Sequence, residues 1–281
     1  MPTNRRFQGC IKVGDKLLDL SEPRIMGIVN LTPDSFYAPS RKQNAEAVAE
    51  QVRRMIAEGA SIIDVGACST RPDSVPATPE EEAERLCKWL PCIMNEAKGK
   101  AAVSIDTFRA DIAKMAVEEY GVEIVNDISG GNIDHGMFRT VAHLRVPYVL
   151  THSQDLREEA NPIPAMLRQT SRLLAELRGM GVSDVIYDPG FGFGKTLEQN
   201  YHIMAALSGF CELGVPLLVG ISRKSMLWRL LNTTPEETLN ATTALNTIAL
   251  LNGANILRVH DVREAAEALK IVNQTLCSLS E

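Results

Sequence analysis

The sequence predicts an α/β fold, an eight-stranded (β/α)8 barrel preceded by a β-hairpin, on three observations. Eight short apolar runs alternate with helix-patterned segments, an order that builds parallel sheets. No change of composition and no linker divides the 281 residues, so one domain spans 1–281, with the hairpin at about 8–20 and the barrel at about 25–277. The apolar runs end at or just before polar residues: Asn30, Asp64, Asp106, Asn126, His152, Asp188, Arg223 with Lys224, and Arg258 with His260. A closed parallel barrel collects the C-terminal ends of all its strands at one mouth. An open doubly wound sheet is the alternative arrangement of the same elements.

Each element follows from a local pattern. Gly9 to Leu20 alternates in part around Gly14 and Asp15, as a hairpin does, and is read as a structural lid over one end of the barrel. Ile25 to Asn30 is the first buried-type strand, followed by a long loop with two prolines, Leu31 to Arg41. Ala45, Val48, Val52, Met55 and Ile56 then recur at helical spacing, closed by Gly59. Ser61 to Gly66 is the second strand. Thr78-Pro-Glu-Glu-Glu82 starts a helix with an N-cap, a proline at its first position and acids at the positive end of the dipole. The acids Glu80 to Glu82 are read as a solvated face. Ala102 to Asp106 is the third strand, with a helix to Tyr120 behind it; Glu123 to Asp127 and Pro147 to His152 are the fourth and fifth. Val185 to Asp188, Pro216 to Gly220 and Asn255 to His260 complete the set, and a last helix starts at Val262.

The stretch Val185-Ile-Tyr-Asp-Pro-Gly-Phe-Gly-Phe-Gly-Lys195 is the most informative one. Asp188 ends a strand, and Gly190, Gly192 and Gly194 permit positive φ and close approach of backbone amides to a ligand. It is not a phosphate-gripping P-loop, because only three residues separate Gly190 from Gly194 and the position that would restore the spacing is Pro189. Lys195 could bind an anion or, as the first residue of a helix, face solvent.

Composition excludes several function classes. Lys and Arg number 29 against 35 Asp and Glu, a net charge of −6 with pI ≈ 5.5, which argues against a nucleic-acid or anionic-membrane surface. A local basic pocket for a phosphorylated ligand is compatible with that balance. Arg5-Arg6 is too short for a basic arm, no apolar run follows it as in a signal peptide, and no stretch approaches the ~18 apolar residues of a membrane span. A cytoplasmic protein is expected. Cys10, Cys68, Cys87, Cys92, Cys211 and Cys277 form no C-x-x-C pair, so buried or neutral thiols and no zinc site are expected. His135, His143 and His202 are read as surface or helix-end residues.

The polar strand ends point to two kinds of chemistry. A flat heterocycle with an amino-pyrimidinone edge would satisfy Asp106, Asn126 and Asp188, whereas Arg258, His260 and Asn30 suit an anion or a metal-phosphate. Asn30-Leu-Thr-Pro-Asp-Ser-Phe36, Asp64-Val-Gly with Ser69-Thr-Arg-Pro72, Ser104-Ile-Asp-Thr107, Asn126-Asp-Ile128, Asp188 to Lys195, Ser222-Arg-Lys-Ser225 and Arg258-Val-His-Asp261 resemble the ordered motifs of the dihydropteroate synthase family, from about Ile25 to the C-terminal helix. The resemblance implies a TIM barrel that joins 6-hydroxymethyl-7,8-dihydropterin diphosphate to p-aminobenzoate in folate synthesis. It assigns Asp106, Asn126, Asp188, Lys224 and Phe193 to the pterin, and Asn30, Arg258 and His260 to the diphosphate, with Asn30 a ligand of Mg²⁺. Phe36, Thr70, Arg71, Pro72 and Ser225 fall on the p-aminobenzoate side. Asp106, Lys224 and Arg258 are the residues expected to carry catalysis. Thr32 and the first loop would cover the bound substrate, and a homodimer is implied. No nucleophile is required, and no G-x-S-x-G or triad is present.

The chain departs from that family's pattern at Tyr37 to Arg41, where a glycine pair is usual, at Ala67, Cys68 and Asp73 in the second loop, and at Thr151, where methionine is common. These changes are expected to fall mainly on the p-aminobenzoate side, altering arylamine or sulfonamide recognition and leaving the pterin pocket intact. Two rival readings remain. A methyltetrahydrofolate-type methyltransferase would not need the Ser-Thr-Arg-Pro loop, the Ser-Arg-Lys-Ser turn or the Arg-x-His pair. A silent pterin binder would have no use for Asn30, Arg258 and His260. The chain runs out just after the eighth helical segment, so no fused second activity is expected.

Overall fold

The computed structural model describes residues 6–31, 45–68 and 76–278. Two strands, β1 (Cys10–Val13) and β2 (Lys16–Asp19), form the expected antiparallel hairpin. The barrel strands are β3 (Arg24–Asn30), β4 (Ile62–Gly66), β5 (Ala102–Asp106), β6 (Ile124–Asp127), β7 (Tyr148–Thr151), β8 (Val185–Asp188), β9 (Leu218–Val219) and β10 (Ile256–Val259). They pair in parallel in the order β8-β7-β6-β5-β4-β3-β10-β9. A parallel bridge between Tyr187 and Leu217 brings the two ends together. The predicted barrel, and not the open sheet, is therefore what forms.

The helices among the described residues are α1 (Ala45–Glu58), α2 (Pro79–Ala97), α3 (Ala110–Tyr120), α4 (Met137–Leu144), α5 (Ile163–Gly179), α6 (Leu197–Ala205), α7 (Ser225–Leu231), α8 (Leu239–Leu251) and α9 (Val262–Cys277). The start predicted for α2 is a full capping box. The Thr78 hydroxyl accepts from the Glu81 amide, and the Glu81 carboxylate accepts from the Thr78 amide. None of these helices is long and apolar enough to cross a membrane.

The period-two pattern of the strands decides what each face does. Ile63, Val65, Val103, Ile105, Val125, Leu150, Tyr187, Val219 and Leu257 point outward into the main core beneath the helices. Met26, Ile62, Ile124, Val149, Ile186, Leu218 and Ile256, with Ala102, point inward, one from each barrel strand. Ile11 and Val13 from β1, with Leu20, complete this inner cluster. The hairpin is thus a plug in the N-terminal end of the barrel, as expected of a lid, and it leaves the C-terminal mouth for chemistry.

One sequence expectation is corrected. Glu82 is not solvated: it is fully buried and accepts from Thr107 Oγ1 at 2.8 Å and from Arg109, with which it forms an ion pair. A buried carboxylate is stable only when paired in this way. The partner also reaches the end of the second loop, since Arg109 Nη2 donates to Ala77 O at 2.6 Å, while Arg85 Nη1 donates to Ala67 O at its start. No disulfide joins the six cysteines; Cys10, Cys87 and Cys277 are exposed and the other three intermediate, and burial raises the thiols of Cys68 and Cys92, which keeps them neutral.

Candidate active site

Polarity along the inner face changes in one step. Two residues beyond the apolar floor stand Asp64, Ser104, Asn126, Thr151, Asp188 and Arg258, and the strand ends add Asn30 and Asp106. Arg258 is the centre of this group. Its Nε donates to Asp64 Oδ2 at 2.6 Å, and its Nη2 donates to Asp106 Oδ2 at 2.5 Å. Asn126 Nδ2 donates to the same Asp64 oxygen at 3.0 Å. The carboxylates are thus neutralised by Arg258 within the barrel, where the sequence reading left them to be satisfied by a ligand. Asp64 received no role from the sequence, yet it joins the residue expected at the diphosphate to one expected at the pterin. Its position two residues after an inward isoleucine was the available signal.

The electrostatics follow from this crowding. Burial raises the Asp106 carboxyl to about 7; Arg258 opposes the rise, and Asp64, Glu82 and Asp127 add to it. Burial works against the charge on Arg258, but Asp64 and Asp106 outweigh it and hold the guanidinium above its ordinary value. Asp188 is buried and accepts from the Gly190 amide at 2.8 Å. Burial raises it too, with Lys224 the foremost opposing charge. Lys224 is lowered to about 8, again by burial first, and Asp188 supports its charged form. Its ammonium donates to Phe191 O and lies 4.7 Å from the Phe193 ring centroid, a cation–π contact.

The mouth therefore gathers Asp106, Asn126, Asp188, Lys224, Phe193 and Arg258. His260 stands beyond the end of β10, with Nδ1 3.0 Å from Ser222 Oγ, and Ser225 begins α7. Asn30 closes β3. Thr32, Phe36, Tyr37 to Arg41, Thr70, Arg71, Pro72 and Asp73 lie outside the described residues.

Other strand-end residues do not join the mouth. His152 is buried, with Nε2 2.7 Å from Gln169 Oε1 of α5, and burial with the nearby Lys195 lowers it to about 4. Arg223 is exposed at φ 59° and pairs with Asp261 at 2.8 Å. Lys195 is neither solvent-facing nor the first residue of a helix, because Thr196 caps α6 and the lysine is buried against three carbonyl oxygens. The Gly190 and Gly192 amides are engaged by Asp188 and Asn200. Thr151 is the register partner of Asp188 on the inner face. That departure thus stands in the wall beside Asp188.

Comparison with known proteins follows the same lines. The family model described as "Pterin binding enzyme" matches residues 26–260. The dihydropteroate synthase of Escherichia coli (strain K12) is 37% identical over 268 residues, which cover 92% of this chain and 94% of the relative. That of Clostridium beijerinckii is 38% identical over 267 residues, covering 94% and 98%. Among solved structures, the Xanthomonas albilineans dihydropteroate synthase with 4-aminobenzoic acid superposes with a TM-score of 0.89 at 33% identity, over 96% of this chain and 98% of that one. The Yersinia pestis dihydropteroate synthase with a sulfonamide drug complex gives 0.88 at 32%, over 95% and 99%.

Proposed function

Because the chain belongs to the dihydropteroate synthase family of pterin-binding enzymes, transferases of folate biosynthesis, we propose a chemistry for its mouth. The reaction is the displacement of diphosphate from 6-hydroxymethyl-7,8-dihydropterin diphosphate by the amine of p-aminobenzoate. The C–O bond from the pterin methylene to diphosphate breaks, leaving a cation delocalised into the ring; the amine nitrogen then bonds to the methylene and loses its proton. The observation that carries this reading is the convergence of Asp106, Asn126, Asp188, Lys224 and Arg258 at one barrel mouth.

Asp106, Asn126 and Asp188 offer acceptors for the N–H groups of the pterin edge, and Lys224 offers a donor for its carbonyl. The same fixed carboxylates stabilise the positive charge that develops on the ring. Phe193 covers the pocket and helps to keep water from the cation. Arg258 retains donors beyond those used by Asp64 and Asp106, and these with His260 suit the departing diphosphate. Phe36, Thr70, Arg71, Pro72 and Ser225 form the p-aminobenzoate side, where sulfonamides would compete.

Among the described residues no group of three or more His, Cys, Asp or Glu could hold a metal. One amide oxygen from Asn30, with diphosphate oxygens and water, is nevertheless a donor set that Mg²⁺ accepts. Bound there, Mg²⁺ would offset charge on the leaving group.

Diphosphate release measured with Mg²⁺, with and without p-aminobenzoate, tests the reading. Release is expected to depend on the arylamine and to fall to background in Asp106→Ala. Tight pterin binding without release would favour a silent binder instead.

A homodimer is part of the same reading, and α8 supplies its argument. Its residues Leu239, Ile248 and Leu251 are exposed, as are Leu230 and Leu231 of α7, a larger apolar exposure than a lone surface helix needs. Light scattering should give twice the chain mass for the parent protein and a monomer for Ile248→Glu with Leu251→Glu. A parent monomer at micromolar concentration would refute it.

A further inference from the structure

We propose that Lys195 is a positioning residue for the pterin pocket, acting through Phe191 and Phe193 on Lys224. The inference rests on the pterin reading of the mouth. It starts from a buried lysine that the reaction itself does not use.

A buried ammonium is tolerated only when its protons are accepted. Lys195 Nζ donates to His152 O and Gly190 O at 2.9 Å and to Phe193 O at 2.8 Å, which occupies all three. The acceptors come from two segments distant in sequence, the end of β7 and the loop after β8. These are packed so closely that a Cβ on Gly190, at φ +67°, would lie 2.1 Å from His152 O. Leu156 N donates to Gly194 O at 2.8 Å and draws the same two loops together. With the side chain fully engaged and nine-tenths buried, no anion can reach it.

The consequence lies at Phe193. Its amide donates to Gly190 O at 3.1 Å and its carbonyl accepts from Lys195, so both of its backbone groups are tied. The point from which the ring projects is then fixed, and the ring stands 4.7 Å from Lys224 Nζ. The neighbouring Phe191 carbonyl accepts from that same ammonium. Lys195 thus holds Phe193 directly and, by clasping Gly190 O and Phe193 O on either side of it, steadies the Phe191 carbonyl that Lys224 uses. Burial, then Lys224, lowers Lys195 to about 7, with Asp188 and Asp155 opposing. An amine that has lost its proton has two N–H groups for three acceptors, so the fastening also weakens as pH rises.

The test compares full-length parent, Lys195→Met, Lys195→Arg and Phe193→Ala enzymes, with thermal melts and separate KM values for pterin diphosphate and p-aminobenzoate. Lys195→Met is expected to raise the pterin diphosphate KM about 10-fold, leaving that for p-aminobenzoate within about two-fold. Lys195→Arg, which also donates to several carbonyls, should recover part of the loss. On the Phe193→Ala background the effect of Lys195→Met should be reduced, because the ring is one of the two routes by which Lys195 acts. Equal rises in both KM values, or an undiminished effect on that background, would overturn the inference. Should Lys195→Met fail to fold, Lys195→Arg in the same cycle decides by the same criteria. Failure of the parent to bind pterin diphosphate would instead remove the pterin reading itself, and the proposal with it.

Discussion

Arg258→Ala is expected to lose turnover and stability together. The guanidinium offsets Asp64, which is fully buried, and Asp106, which is largely so. Removing one member of a buried ion network leaves uncompensated charge and costs about 3–5 kcal/mol. Removal of a donor aimed at developing charge should lower kcat/KM by on the order of 100- to 1,000-fold as well. The two losses separate by pH. Arg258 depresses the Asp106 carboxyl, so in its absence the folded-state value rises further above the unfolded one. A carboxyl raised in the folded state disfavours folding above its unfolded value. The deficit against the parent should therefore be largest above about pH 7 and shrink as the pH falls and the carboxyls take up protons. Urea denaturation at two pH values measures this. A parent-like midpoint at alkaline pH would mean that the ion network contributes nothing to the fold.

A narrow bell-shaped dependence of kcat/KM on pH is the second expected result. Asp106 must be ionised to accept from the pterin edge, and it is raised to about 7, chiefly by burial. Activity should fall as the pH drops through that value. Lys224 must be protonated to donate to the ring carbonyl, and burial lowers it to about 8. Activity should fall again as the pH rises through that value. Because Arg258 acts on both groups and the Asp106 charge supports that of Lys224, the limbs belong to the cluster and not to single residues. Lys224→Arg keeps its charge at every accessible pH, so its profile should lose the alkaline limb even if its rate is low. A parent profile that is flat from about pH 6 to 9 would rule out the assignment of these two groups.

Much of the site was legible because period-two strands make a face out of a spacing. Asp106, Asn126 and Asp188 could be placed at strand ends, and the order of the motifs around them carried the family. Glu82, His152 and Lys195 were misread for one common reason. Each is polar in a position whose neighbours in sequence look solvated or loop-like, and its partners lie elsewhere in the chain: Thr107 and Arg109 for Glu82, Gln169 for His152, and the His152 carbonyl for Lys195. The place of Thr151 beside Asp188 was not legible, because the register that sets it there is a property of two strands, not of either one.

Sequence alone determined the alternation of eight strands with helices, the hairpin, the capped start of α2 and the chemical character of the mouth, since periodicity, capping and strand-end polarity are local properties. Tertiary structure alone decided which charges meet. Arg258 spans Asp64 and Asp106 across 194 and 152 residues of chain, and no pattern within a strand encodes that choice. Barrel closure imposes it by bringing β10 beside β3, with β4 and β5 following, and by turning the alternate residues of all of them toward one axis.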